Sequence, residues 1–204
     1  MVAVLIAMLI YGLLHSLLAS QTAKGLFRRR FGERAFHGLY RLYFNALAGI
    51  LFIPIAGMIV FYDNRAVWRI DNDLQWFLMA LQLVGIIGFT LSLLQINLSR
   101  FAGIEQARAF FKGDDLPLPP ESLTTGGVYR LVRHPLYLFS LLIIWPVTTM
   151  THAYLGFAIG ATLYFIVGSL YEERRLLEAF GDDYRDYRAK VAWIIPFLHL
   201  GNKS

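Results

Sequence analysis

The chain has 204 residues, 57% of them apolar and only 16% charged, against roughly 45–50% and about 25% for an ordinary soluble domain. So few charges do not cover the surface of a soluble protein of this length, which excludes a soluble globular chain and makes a lipid bilayer the natural solvent. With no cysteine and a formal charge of +5, disulfides, thiolate metal sites and a cysteine nucleophile are excluded, and the positive charge is expected to face anionic lipid rather than nucleic acid.

Residues 2–19, VAVLIAMLIYGLLHSLLA, form an apolar run long enough to cross a bilayer. No basic stretch precedes the run, so it reads as a retained helix rather than a signal peptide. Residues 20–41 are polar and carry Lys24, Arg28, Arg29, Arg30, Arg34 and Arg41, and 42–62 form a second span with Pro54 as the expected kink. A short polar loop, 63–73, holds Asp63, Asp71 and Asp73 and leads to a third span at 74–96.

Residues 97–135 are the longest polar segment. Arg100, Phe101, Ile104, Phe110 and Phe111 predict an interfacial helix ahead of the LPLPP stretch at 116–120. The apolar stretch 136–170 is scarcely long enough for two spans and predicts a tight hairpin of two short helices turning near Thr149–Ala153. Residues 171–190 are expected to continue the fifth helix into the cytosol, and the tail 191–198 to be an interfacial anchor through Trp193 and Phe197. The expected fold is therefore all-α: one integral membrane domain of about five transmembrane helices over 1–204. It comprises a three-helix part at 1–96 and a C-terminal helical hairpin with a cytosolic extension at 124–198.

Segments 20–41, 97–135 and 171–204 together hold 17 of the 19 Lys and Arg residues. The positive-inside rule then puts the N-terminus outside and the C-terminus in the cytosol, as an odd number of crossings also requires.

Ionisable groups concentrate in two runs, Gly126-Gly127-Val128-Tyr129-Arg130-Leu131-Val132-Arg133-His134-Pro135-Leu136-Tyr137 and Tyr171-Glu172-Glu173-Arg174-Arg175-Leu176. An antiparallel hairpin brings them together at one membrane face. Pro135 suits a first helical turn with His134 at its cap, free N–H groups and Arg133 favour a carboxylate, and Glu172 and Glu173 offer acceptors to an amine, a ribose or a sulfonium. A ligand of mixed charge fits better than a simple phosphate. Alone, each run also reads as ordinary structure: an Arg-His membrane anchor, and a solvated helix face with i,i+3 and i,i+4 pairs.

Gly-x-Tyr-x-x-x-Arg-His-Pro-x-Tyr at 127–137, Glu-Glu-x-x-Leu-x-x-x-Phe-Gly-x-x-Tyr-x-x-Tyr at 172–187, then Val191 and Ile195-Pro196, resemble the isoprenylcysteine carboxyl methyltransferase and phospholipid methyltransferase superfamily. Leu14-His15-Ser16, Arg41-Leu42-Tyr43-Phe44-Asn45 and Trp145–His152 resemble its methanethiol S-methyltransferase and NnrU-like branch. The resemblance implies a membrane methyltransferase using S-adenosylmethionine on a small thiol or lipid-like acceptor, with a prenylcysteine among the possibilities. A non-catalytic NnrU-like protein supporting nitrogen-oxide metabolism or binding a partner is the alternative.

The resemblance further implies that Gly127, Tyr129, Arg133, His134, Tyr137, Glu172 and Glu173 contact the cofactor, with Arg133, Glu172 and Glu173 acting in catalysis. His15 and Asn45 are the candidates for acceptor binding. Where the family pattern has glycine, this chain has Phe139, which bears on pocket width. Gly156 and Gly160 are expected to serve packing, and Gln82 and Gln95 to bridge helices. His37, His152 and His199 are scattered, and no metal site is expected.

Overall fold

The structure is a computed structural model and describes residues 1–62 and 65–196. Helix α1, Val2–Ala19, meets α2, Gln21–Phe61, at Ser20, whose Oγ accepts from Ala23 N–H at 3.2 Å and caps the second helix. The polar segment 20–41 is helical, and α2 breaks at Gly32 rather than at Pro54. Gly32 has φ 84° and ψ 165°, a backbone region open essentially to glycine. A short strand β1, Ala66–Arg69, precedes α3, Leu74–Leu94.

The expected interfacial helix is present as two pieces, α4 (Leu98–Ala102) and α5 (Ile104–Lys112), broken at left-handed Gly103. Gly103 lies under the backbone of Arg41 and Leu42, where a Cβ has no room. A 3-10 turn at Gly127–Arg130 leads to α6, Pro135–Ile144, with Pro135 in its first turn. Strand β2, Thr149–Thr151, then precedes α7, His152–Phe180.

Among the described residues four helices, α1, α2, α3 and α7, are long and apolar enough to cross a membrane, so the chain is an all-α integral membrane bundle. The hairpin expected within 136–170 turns where foreseen, but its legs are unequal. At 10 residues α6 reaches about 15 Å, roughly half of a ~30 Å hydrocarbon core. The irregular stretch 145–148 carries the chain on to β2, which pairs antiparallel with β1. That pairing, with the backbone of Met1 and Leu5 lying over Gly156, gathers the N-terminus, β1 and the start of α7 at one end of the bundle. The Ser20 junction, α4, α5 and the two charged runs lie at the other.

Small residues let the helices approach. Gly156 and Gly160 on α7 receive α1, Gly160 against Met8. On α3, buried Gly85, Gly88 and Ser92 form the face that packs α6. Gln82 Nε2 bridges to the Ile143 carbonyl at 3.0 Å, whereas Gln95 turns back on its own helix, donating to Leu91 O at 3.0 Å.

The extension expected beyond the last span is not one continuous helix. Gly181, at φ 53° and ψ −121°, ends α7 and starts a separate α8, Asp182–Lys190. Asp182 and Asp183 in its first turn and Arg188 and Lys190 in its last complement the helix dipole. The tail is no free anchor: Val132 and Ala192 form a parallel bridge, and Arg133 N–H donates to Ala192 O at 2.8 Å. Phe197 and His199 lie outside the described residues.

Candidate active site

The two charged runs meet, as the hairpin requires. Glu172 and Glu173 are successive on α7, so their side chains leave the helix roughly 100° apart and reach different partners. Glu173 is buried. Its Oε1 accepts from Arg133 Nε at 2.6 Å and pairs with His134 Nε2 at 3.1 Å, while Arg188 Nε stands 3.3 Å from Oε2. Both Glu173 oxygens are thus taken by cationic partners.

Glu172 is 34% exposed at its side chain. Tyr137 Oη donates to its Oε2 at 3.0 Å, and His134 Nδ1 lies 3.4 Å from the same atom. Its other oxygen, Oε1, has no partner among the described residues.

Each neighbour is itself fixed. Arg133, 5% exposed, also donates from Nη1 to Val191 O at 2.6 Å and Arg188 O at 3.1 Å. His134 N–H donates to Trp193 O at 3.2 Å, and its ring stacks on Tyr137, which stacks on Phe165 at 5.1 Å. Burial pushes the His134 pKa down, but bonds to Glu172 and Glu173 and their charges outweigh it, and the net shift is upward. Its two ring nitrogens face two carboxylates, the arrangement of an imidazolium. Tyr187 Oη donates to Tyr129 O at 2.6 Å, and burial together with the Glu172 charge pushes the Tyr129 phenol up to about 12.

Gly127 has φ +50°, and the space a Cβ would take is filled by the Gln95 side chain. The close approach at this glycine is therefore to α3. Phe139 likewise turns to α3, where its ring fills the space above Gly88. The bulk that stands in place of the family's glycine is absorbed by a glycine on the neighbouring helix.

His15 and Asn45 are not part of this cluster. Asn45 Nδ2 donates to Phe101 O and Ala102 O, both at 3.0 Å, bracing α2 against α4. His15 Nδ1 meets Tyr164 Oη at 3.0 Å. It is joined to the cluster by a seam of rings: Tyr137 on Phe165, Phe165 against Tyr164, Tyr164 against His15, with centroids 5.1, 6.0 and 5.5 Å apart. Among the described residues no group of His, Asp and Glu side chains is arranged to hold a metal ion.

Several participants were not singled out from sequence. Arg188 reaches Glu173 only because Gly181 reverses the chain. Tyr164 was embedded in an apolar run without a distinguishing signal. Arg175, one turn beyond Glu172, acts on that carboxylate and shares its electrostatic neighbourhood with Lys24 and Arg41 on α2. The Tyr-x-x-Tyr spacing in 184–187 was the one available hint that α8 folds inward, and both tyrosines are buried.

Comparison with known proteins agrees with the resemblance read from the motifs. The profile of the family described as phospholipid methyltransferase matches residues 77–183. Methanethiol S-methyltransferase of Crocosphaera subtropica is 30% identical over 200 residues, covering 96% of this chain and 73% of the relative. Methanethiol S-methyltransferase 1 of Bradyrhizobium diazoefficiens is 28% identical over 95% of this chain and 66% of the relative. Protein-S-isoprenylcysteine O-methyltransferase A of Arabidopsis thaliana is 38% identical over 38% of this chain and 41% of its own length. The chain thus spans about two thirds of the length of the first two relatives. No solved structure matches it. With the profile covering more than half of the sequence and a methyltransferase aligned along nearly all of it, the chain belongs to the phospholipid methyltransferase family.

Proposed function

We propose that the protein is an S-adenosylmethionine-dependent methyltransferase whose donor site is the cluster around Glu172, on the cytosolic face, and whose acceptor is a small thiol. The observation that carries this reading is the mixed charge beside Glu172. One carboxylate oxygen is free while the other is held by Tyr137 and His134, and Arg175, one turn along α7, supplies the cation. An amino-acid moiety carries an ammonium and a carboxylate, and this pair of surroundings suits both ends.

S-adenosylmethionine, when bound, supplies a methyl group on a positively charged sulfur. The chain's own contribution is placement and exclusion of water. Glu172 holds the ammonium, and Arg175 faces the carboxylate. Arg133 acts as a positioning residue: its guanidinium is surrounded by Glu173, Arg188 O and Val191 O and holds α6, α7 and the tail together. The expected catalytic role of Glu173 becomes structural for the same reason. The aromatic seam from Tyr137 to His15 offers the acceptor an apolar wall, with His15 at its far end.

A thiol acceptor is favoured over a lipid because the relatives matched along nearly the whole chain are named for methanethiol. The orientation follows from the 17 of 19 basic residues in segments 20–41, 97–135 and 171–204. The test is transfer of radiolabelled methyl from S-adenosylmethionine, by purified protein in nanodiscs, to methanethiol, larger thiols, a prenylcysteine analogue and phosphatidylethanolamine. Label on methanethiol is the expected result. Folded protein that labels none of the four, and binds no S-adenosylmethionine, contradicts the reading and favours a non-catalytic role.

A further inference from the structure

The break in α2 creates a cavity that methyl transfer does not use. Because Gly32 leaves the helical region, residues 21–31 fold back and Phe27 packs on Tyr40 and Tyr43, with centroids 5.0 and 5.9 Å apart. Between them lies a cavity of about 400 Å³ lined by Leu18, Ala23, Phe27, Phe31, Tyr40 and Tyr43, with Arg30 in its wall. That volume is within the range of small-ligand sites, roughly 300–1,000 Å³. The lining is mostly apolar, and the Tyr40 hydroxyl is satisfied by Leu18 O. Leu26 and Phe31 are 69% and 58% exposed, so the wall opens outward and its rim is apolar.

The charges around the cavity are uneven. Arg28 is held by Glu33 at 3.5 Å and by the Phe36 ring at 3.9 Å. Arg34 donates to Phe110 O and Asp114 O. Arg30 has no carboxylate partner among the described residues and lies only against the Phe31 ring. No acidic residue lines the cavity, and the nearest in sequence, Glu33, is engaged by Arg28 and His37. An apolar cavity with one unneutralised guanidinium at the basic end of a membrane bundle calls for an amphiphile with an anionic head, and holds no carboxylate to pair with the cation of a zwitterionic head.

We propose that the elbow of α2 binds one anionic phospholipid, with an acyl chain in the cavity and its phosphate on Arg30. The site shares no lining residue with the Glu172 cluster and stands independently of the methyltransferase reading.

Native mass spectrometry of the full-length protein in detergent, titrated with phosphatidylglycerol and phosphatidylcholine of identical chains, tests it. Phosphatidylglycerol should bind about fivefold more tightly, the factor expected for one basic residue near an anionic lipid. Arg30→Gln should erase that preference, and Ala23→Phe, which fills the cavity, should remove binding of both lipids. If Ala23→Phe does not fold, Ala23→Leu makes the same test with less added bulk. Equal binding of the two lipids by the wild type, or unchanged phosphatidylglycerol binding in the filled variant, overturns the proposal. Glycerol phosphate bound as tightly as the intact lipid overturns it as well, since the acyl chain then contributes nothing.

Discussion

At one end of the bundle the chain is closed by β1 and β2, where Ile70 N–H donates to Thr148 O at 2.8 Å and Trp68 Nε1 to Val147 O at 3.2 Å. At the other end it is closed by the Val132–Ala192 bridge, a smaller contact of one residue pair. The first closure is made by strand pairing, with the Trp68 indole adding one bond; the second surrounds Arg133, His134, Glu172, Glu173 and Arg188. The difference separates holding a fold from building a site. Strand pairing lies between α6 and α7 at the first end, so the buried ionic cluster at the other end is not the one contact that closes the hairpin. Within that cluster the same contrast recurs between neighbours, Glu173 fully engaged and Glu172 half free.

The largest effect should come from Glu173→Gln, which leaves Arg133 buried without its carboxylate. Breaking a buried pair in this way costs about 3–5 kcal/mol, measurable by chemical unfolding in detergent. Glu172→Gln should cost under ~1 kcal/mol, as partly exposed pairs do. Equal losses would erase the division of roles between the two glutamates.

Next in size is Gly88→Ala, whose new Cβ overlaps the Phe139 ring. Overpacking of this kind costs roughly 1–3 kcal/mol, and Phe139→Leu in the same chain should recover part of it. A Gly88→Ala protein as stable as wild type would mean that Phe139 has another place to go.

Trp68→Phe removes one hydrogen bond at the β1–β2 end and should cost about 1 kcal/mol without altering ligand affinity. A change in affinity would show that the two ends are coupled.

The smallest effect concerns pH. The His134 pKa is raised in the fold, so the stability it contributes is complete below the ordinary histidine value of about 6.5 and is lost as pH rises through the raised value. Unfolding midpoints should decline on the alkaline side, and His134→Gln should flatten that decline. An alkaline limb identical in the variant would show that His134 is not its source.

Much of this fold is readable from residues alone, for reasons that also explain what is not. The spans 2–19 and 74–96 are announced by length and apolarity, and the meeting of Arg133-His134 with Glu172-Glu173 follows from a hairpin between them. The break of α2 is not readable in that way. Pro54 is the conspicuous helix breaker, but a proline inside a packed membrane helix is tolerated, whereas Gly32 acts through a backbone conformation that composition does not reveal. The inward fold of α8 depends similarly on Gly181, and with it the contact of Arg188. Asn45 was a reasonable acceptor candidate as a polar residue in an apolar span, yet two carbonyls of α4 already take its amide. The division between Glu172 and Glu173 needs the helix phase relative to α6 and the tail, which depends on packing.

Calorimetric titration of the detergent-purified protein with S-adenosylmethionine, alongside its Glu172→Gln variant, addresses the donor site most directly. The wild type should bind, and the variant, folded and of near-normal stability, should bind at least about tenfold more weakly, a loss of ~1.4 kcal/mol. A folded wild type that gives no heat, or a variant that binds as tightly as the wild type, would contradict the assignment of Glu172 as the carboxylate that holds the donor.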